Sequence, residues 1–119
     1  MDAIAKFMLV GNDGRFFGPG PANLLRNIQS TGSVKEAARR MEVSYSKAWK
    51  MIEALEHSLA FPVVERSSGG KKGGGASLTP QGRKIVEEYD KCHEKLKTYA
   101  HGLYEEHFSW CEEVERADS

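Results

Sequence analysis

Long apolar runs are missing from this chain of 119 residues, of which 39% are hydrophobic. Because no stretch of about 18 apolar residues occurs, we expect no transmembrane helix and no membrane partner. Residues 1–6 also lack the charged-then-apolar order of a signal peptide, so a cytoplasmic location is the default expectation. The length suits one domain with a modest core and leaves no room for a second folded domain beside it.

Cysteine is scarce, and Cys92 and Cys111 are the only two. Two thiols in a reducing compartment do not form a disulfide framework, and buried free thiols are the simpler interpretation. His107 precedes Cys111 by four residues and can share its helix face, while His93 and His101 lie nearby. A metal or redox sensor built from Cys92, His107 and Cys111 stays open as an alternative. Since no dense four-ligand pattern is present, we predict no metal site and no cofactor.

The residue patterns of catalysis are also missing. No paired carboxylates stand in a glycine-rich cleft, and no Ser/His/Asp order occurs, so we expect no enzyme activity and no catalytic residues. The glycine-lysine stretch at 69–75 is not typical of a nucleotide-binding P-loop. That loop needs a lysine and a Ser/Thr after its last glycine, whereas Lys71 and Lys72 precede the final glycines.

The formal net charge at pH 7 is zero, but the charged residues are unevenly distributed along the chain. Residues 35–84 hold ten Lys/Arg and five Asp/Glu, whereas residues 85–119 hold four and ten. The basic excess falls where a DNA phosphate backbone can be contacted. We therefore expect the acidic C-terminal segment to face away from DNA.

Turn and cap residues divide the first half of the chain. The sequence Gly-Asn-Asp-Gly at 11–14 predicts a β-hairpin over 3–17, flanked by strands at 7–10 and 15–17. A first helix is predicted from Pro21 to Ser30, ended by Gly32. Ser33 and Glu36 form a capping box for a second helix, which turns near Met41.

A third helix is predicted from its cap Ser44 to about His57. The i, i+4, i+7, i+11 spacing of Ala48, Ile52, Leu55 and Leu59 indicates a core-facing stripe. The opposite face carries polar and basic side chains that can meet phosphates and base edges. The members of this face are Ser46, Lys47 and Lys50, with Tyr45 and Trp49 at the edge of the stripe.

Residues 61–66 are predicted to form the first strand of a wing, with its tip at 67–76. Thr79 and Pro80 then begin a long fourth helix that Gly102 weakens or ends. Apolar residues recur along this helix at spacings of 4, 3, 4, 3 and 4, typical of a dimerisation seam. The seam consists of Ile85, Tyr89, Cys92, Leu96, Tyr99 and Leu103.

The predicted fold is mostly α with small β-hairpins: a winged helix-turn-helix with a long C-terminal helix. Residues 1–119 are interpreted as one DNA-binding domain. Its parts are an N-terminal hairpin at 1–18, the helix-turn-helix and wing at 20–84, and a dimerisation helix and tail at 85–119. A winged-helix module that binds proteins instead of DNA remains an alternative, and the basic excess disfavours it.

Several motifs are more specific than a general helix-turn-helix. They are Gly-Ser at 32–33, Ala-Ala at 37–38, Ser-Tyr-Ser-Lys-Ala-Trp at 44–49, Val-Glu-Arg at 64–66, Gly-Gly-Lys-Lys-Gly-Gly-Gly-Ala at 69–76, Leu-Thr at 78–79 and Gly82. Over about residues 4–100 the chain resembles the N-terminal domain of the ModE family of molybdate-responsive transcriptional regulators. The Gly-Ser to Leu-Thr frame is also similar to LysR-type regulators, which lack this wing.

The resemblance implies a regulator of molybdenum-related genes that binds palindromic, double-stranded promoter DNA as a homodimer. It implies readout of the groove by Ser44, Tyr45, Ser46, Lys47 and Lys50, and wing contacts by Arg66, Lys71 and Lys72. Full-length members carry C-terminal molybdate-binding domains, and this chain ends at 119, as in the short form of the family. The expected sensor of the effector is a separate protein, or the effector is a different one.

Overall fold

The computed structural model describes residues 1–67 and 75–117 and shows a mostly helical winged helix-turn-helix, as predicted. Within these residues two small antiparallel hairpins accompany the helices. The elements in chain order are β1 (Leu9–Gly11), β2 (Gly14–Phe17), α1 (Pro19–Thr31), α2 (Val34–Arg40), α3 (Tyr45–Leu59), β3 (Val64–Ser67), β4 (Gly75–Leu78), α4 (Pro80–His107) and α5 (Trp110–Ala117).

The core lies where the first three helices meet the wing and the first turns of α4. Its side chains follow the predicted stripes, with alanines that let the helices approach closely. Leu59, predicted to face inward, and Met41 are half-buried at its margin. The fully or nearly fully buried members include Ala22, Leu24, Leu25, Ile28, Val34, Ala37, Ala38, Ala48, Ile52, Leu55, Val63 and Val86.

The predicted N-terminal hairpin is confirmed with shifted bounds, because β1 begins at Leu9 rather than at residue 7 and β2 begins at Gly14 rather than at residue 15. Val10 pairs with Arg15 and Gly11 with Gly14, and the register shifts between Leu9 and Val10. Gly14 adopts a φ of 106°, a conformation that glycine allows at such a turn. The hairpin places Phe17 in the core, where its ring packs edge-to-face with the Tyr89 ring. The two ring centroids are 5.0 Å apart.

The predicted caps are largely confirmed. Gly32 ends α1 at a φ of 70°, and its N–H donates to Ile28 O at 2.8 Å. The Ser33 hydroxyl accepts from the Glu36 N–H at 3.1 Å. The other half of the predicted capping box differs, because the Ser33 N–H donates to Thr31 Oγ1 at 3.2 Å.

The expectation that Gly102 ends the fourth helix is wrong. Helix α4 continues for 28 residues to His107, a length of about 42 Å. One exposed glycine costs a helix only about 1 kcal/mol, and Ala100 and Tyr104 are buried on either side of it. Burial raises the pKa of the Tyr104 phenol to about 12, with the Glu112 carboxylate as a further cause.

Residues before β1 run along α4. The Tyr89 hydroxyl donates to Phe7 O at 3.0 Å, and His101 Nδ1 lies 2.9 Å from an Asp2 carboxylate oxygen. The hydrogen bond with Asp2 raises the pKa of His101. Within 1–67 and 75–117, the search for a helix long and apolar enough to cross a membrane returns none.

Candidate nucleic-acid interface

The α2–α3 unit is fixed by a tight turn whose backbone the sequence did not reveal. Glu42 adopts a φ of 56°, in the left-handed region that few non-glycine residues enter. The Val43 N–H donates to Ala38 O at 3.0 Å and closes the turn. Buried Ala37, Ala38 and Ala48 line the contact between the two helices. This packing sets the angle at which α3 leaves the body of the protein.

The first turn of α3 is held by its cap. The Ser44 hydroxyl accepts from the Lys47 N–H at 3.0 Å. This leaves the hydroxyl hydrogen of Ser44 able to donate to an external acceptor. Ser44 therefore caps the N-terminus of α3 and also lies at the candidate interface.

The polar face predicted for α3 points to solvent. The side chains of Tyr45, Ser46, Lys47 and Lys50 are exposed, and Tyr45 retains 51% of its surface. The opposite face carries buried Ala48, Ile52 and Leu55. All five predicted readout residues are thus exposed, with Ser44 at the cap and the other four in the first two turns of α3.

A backbone bond attaches the wing to the body, because the Ala76 N–H on β4 donates to Gly32 O at the end of α1 at 2.8 Å. The Thr79 N–H donates to Val63 O at 3.0 Å and extends the pairing of the two wing strands by one residue. Strand β3 begins at Val64 rather than at residue 61, because Glu56 at the end of α3 accepts from the Val63 and Val64 N–H groups. Lys71 and Lys72 lie outside the described residues.

Arg66 takes a position that sequence reasoning missed. It lies on β3 opposite Ala76, as predicted for a wing residue. Its guanidinium carbon, however, stands 4.0 Å from the centroid of the Trp49 ring on α3. Trp49 and Arg66 are seventeen residues apart in sequence, so no helical or strand spacing relates them. Only the close approach of β3 to α3 makes the contact.

Further basic side chains surround the α2–α3 unit. Lys35, Arg39 and Arg40 are exposed on α2; they entered the charge balance but were not singled out as site residues. Arg39 is hydrogen-bonded to Glu36, which raises the pKa of its guanidinium. Arg40 Nη1 donates to Ser30 Oγ at 3.4 Å. The positive field therefore covers α2 as well as α3.

The predicted seam on α4 divides into two parts. Tyr89 is 4% exposed and Ile85 packs against the core of the same chain. Farther along, Cys92 and Leu96 are half-buried, whereas Tyr99 and Leu103 keep 67% and 40% of their surface. Tyr89 is thus engaged within its own chain, and the accessible seam is its C-terminal half.

The cysteines and histidines of the sensor alternative do not form a ligand cluster in the part of the chain that is described. Cys92 lies on α4 and Cys111 on α5, both half-buried free thiols. His101 pairs with Asp2 and Glu105, and the His93 ring stacks with Tyr89 at 5.9 Å. Among the described residues no three His, Cys, Asp or Glu side chains are arranged to hold a metal ion.

Curated relatives match well over half of the chain. The Transcriptional regulator ModE of Haemophilus influenzae is 40% identical over 75 residues, which are 63% of this chain and 29% of that protein. The Molybdenum-pterin-binding protein MopB of Rhodobacter capsulatus is 41% identical over 85 residues, or 71% and 32% of the two chains. The chain therefore spans under a third of the length of these relatives.

A solved structure and a family model also match the chain. A crystal structure of a CbnR DBD–DNA complex is similar with a TM-score of 0.53 and 25% identity, over 63% of this chain and 80% of that one. The model of the bacterial regulatory helix-turn-helix proteins of the lysR family matches residues 23–83, from α1 through the wing to the first turn of α4. More than half of the chain is matched, and this chain belongs to that family.

Proposed function

We propose that this chain is a sequence-specific DNA-binding transcriptional regulator of molybdenum-related genes. The observation that carries the proposal is the start of α3, where Tyr45, Ser46 and Lys47 are exposed together and precede Trp49, which contacts Arg66 of the wing. A helix presented in this way fits the major groove of B-DNA, and its N-terminal residues then reach the base edges. The role is regulatory rather than catalytic, and it places the chain in the cytoplasm with the promoter.

Charge supports the same orientation. Of the ten basic residues of 35–84, six lie on α2, α3 and β3, Arg83 and Lys84 lie in the first turns of α4, and Lys71 and Lys72 are outside the described residues. The acidic excess of residues 85–119 lies farther along α4 and beyond it. A duplex approaching α3 therefore meets lysine and arginine, while the carboxylates of α4 favour the opposite side. The similar CbnR structure is a complex with DNA.

The second part of the proposal is a homodimer that binds a palindrome. Two copies joined along the exposed half of the α4 seam, with help from α1, would set their α3 helices about one DNA turn, or roughly 34 Å, apart. A two-fold symmetric pair reads a two-fold symmetric site. Tyr99 and Leu103 support this proposal because they expose apolar surface on α4.

Molybdenum enters the proposal through the names of the relatives, ModE and MopB. The direct test is selection of bound fragments from sheared genomic DNA of the source organism at about 0.15 M salt, with and without molybdate. We expect enrichment of a palindrome near genes for molybdate transport or molybdenum enzymes. A molybdate effect would show that this chain senses the oxyanion itself, and no effect would assign sensing to a separate partner protein. No enrichment in either condition would overturn the regulator proposal.

Lys47→Ala is expected to weaken specific binding more than any other single change on α3. Its ammonium can donate to guanine acceptors in the groove, a contact that contributes about 1–3 kcal/mol of base discrimination. The Lys47 N–H that bonds the Ser44 cap is kept in alanine, so α3 should still form. Binding is measured on selected and scrambled duplexes, with Lys95→Ala on α4 as the control for charge alone. An unchanged preference for the selected duplex would contradict the readout role.

The double variant Lys71→Ala with Lys72→Ala is expected to weaken binding to all DNA sequences similarly. If both lysines contact phosphates, the slope of log affinity against log salt falls by about two. The matched control is Lys95→Ala with Lys97→Ala, which removes the same charge from the acidic segment. An unaltered slope in the wing variant would remove the wing lysines from the interface.

A further inference from the structure

A cation–aromatic stack joins the wing to the candidate recognition helix. Arg66 on β3 lies over the face of Trp49 on α3, with its guanidinium carbon 4.0 Å from the ring centroid. Tryptophan offers the strongest aromatic face for such a contact, and guanidinium planes stack on it well. The stack joins, through their side chains, the two parts that the proposed function brings to DNA.

Trp49 is held in place by packing, and the face of its ring forms the contact with Arg66. It is half-buried on α3 next to the core, and its edge-on neighbour Tyr45 has a ring centroid 6.3 Å away. The indole Nε1 is buried without a hydrogen-bond partner in the described part of the chain. A buried N–H without a partner is unfavourable, so the indole is not placed there by its polar atom.

Arg66 is fixed from its backbone side as well. It pairs with Ala76 in the wing ladder, and the Ala76 N–H donates to Gly32 O at the end of α1. The next pair, Ser67 with Gly75, is the last one before segment 68–74, which contains Lys71 and Lys72. Arg66 therefore stands near the end of β3, one pair before segment 68–74, and its guanidinium faces α3.

The stack leaves the guanidinium able to donate. Its N–H groups lie in the guanidinium plane, whereas the stack uses the flat face. Arg66 is exposed, and no carboxylate among the described residues forms an ion pair with it. An oriented, unpaired guanidinium at this place suits a phosphate oxygen.

We propose that Trp49 is a positioning residue that holds Arg66 so that its N–H edge donates to a DNA phosphate beside the groove entered by α3. The inference rests on the proposed function and adds to it a coupling: the wing and the recognition helix bind as one unit. Loss of the Trp49 face then has the same effect on phosphate contact as loss of Arg66.

The test measures the salt dependence of binding to a 30-base-pair duplex of arbitrary sequence (about three helical turns), because counterion release is independent of sequence. Arg66→Gln and Trp49→Leu are each expected to lower the slope of log affinity against log salt by about one. The double variant should show no further decrease, since both changes remove one contact. Trp49→Phe keeps an aromatic face and should keep the wild-type slope.

Two controls and one replacement variant separate positioning from general damage. Trp110→Leu makes the same change at an exposed tryptophan on α5 and should leave the slope unaltered. Far-UV circular dichroism at the assay temperature checks that each variant is folded. If Trp49→Leu does not fold, Trp49→Met replaces it, because its flexible side chain fills irregular space more readily.

The outcomes distinguish failure of this inference from failure of the proposed function on which it rests. A wild-type slope in Trp49→Leu together with a reduced slope in Arg66→Gln would show that Arg66 contacts DNA without Trp49. A wild-type slope in Arg66→Gln would remove Arg66 from the interface, and either result overturns the inference while DNA binding stands. If the wild-type chain itself shows no salt-dependent binding, the proposed function fails and the inference with it.

Discussion

Gly82→Ala is expected to remove much of the folding stability of this protein. A Cβ at this position would stand 2.2 Å from Val63 O and 3.1 Å from Val63 C. Both are backbone atoms, and Val63 is 0% exposed and cannot move aside. We expect a loss of about 3 kcal/mol or more in the free energy of unfolding, out of a typical total of about 5–15.

The close approach at Gly82 follows from the bonds around it. The Thr79 hydroxyl donates to Pro62 O at 2.8 Å and accepts from the Gly82 N–H at 2.9 Å, so one side chain ties the wing strand to the first turn of α4. The Thr79 N–H adds a bond to Val63 O at 3.0 Å. These bonds draw the start of α4 against residue 63 and leave space for hydrogen only.

Gly102→Ala is the matched control, because it makes the same change in the same helix. No atom lies within 4 Å of a Cβ built at Gly102, and alanine favours a helix over glycine by about 1 kcal/mol. Urea denaturation should therefore show opposite shifts of the midpoint for the two variants. Equal shifts would mean that helix propensity, and not contact with Val63, decides the effect at Gly82.

The parts of the fold that depend on local chemistry could be predicted from the sequence. Ser33, Ser44 and Thr79 cap the helices that follow them, as their side chains indicate. The stripe of α3 and the turn of the N-terminal hairpin also need only neighbouring residues. Each of these signals lies within a few positions of the element that it specifies.

The features that the sequence did not predict have a common physical origin in contacts between residues that are far apart in the sequence. Helix α4 passes through Gly102 because packing at Ala100 and Tyr104 outweighs a local preference. Glu42 and Ala60 adopt positive φ values of 56° and 62° at the two ends of α3, where their residue types give no signal. In the candidate site, the exposed face of α3 was readable from spacing, but the stack of Arg66 on Trp49 was not.

On α4, the predicted spacing of apolar residues is correct, but its interpretation as a dimerisation seam is incomplete. The heptad-like spacing marks one side of α4, yet the side chains at 85 and 89 pack against the same chain. Periodicity reports that a face is buried and does not say by what. The first half of the seam packs in the core of its own chain, whereas Tyr99 and Leu103 in the second half are exposed and accessible to a partner.

The double variant Tyr99→Glu with Leu103→Glu is expected to convert the proposed dimer to a monomer and to abolish high-affinity binding to a palindrome. Two-site attachment raises affinity by about 10²–10⁴ over a single site, so we expect a loss of at least roughly a hundredfold. Since both side chains are exposed within one chain, the fold should survive. Sedimentation and binding to full and half palindromes are the measurements.

The apolar residues of α4 suggest why the accessible seam suits a second copy of this chain. In an antiparallel pair of α4 helices that cross near Tyr99, Leu96 of one copy lies opposite Leu103 of the other, and these side chains can pack together. Glutamate at 99 and 103 would place four carboxylates at the centre of that crossing, where like charges repel.

Thr98→Glu is the control, because it adds a carboxylate to the same stretch of α4 on the side turned away from the seam. It should leave the dimer and its affinity for DNA intact. If Tyr99→Glu with Leu103→Glu remains dimeric, α4 does not form the interface. If it becomes monomeric but keeps full affinity for the palindrome, pairing through α4 does not determine how the two recognition helices reach DNA.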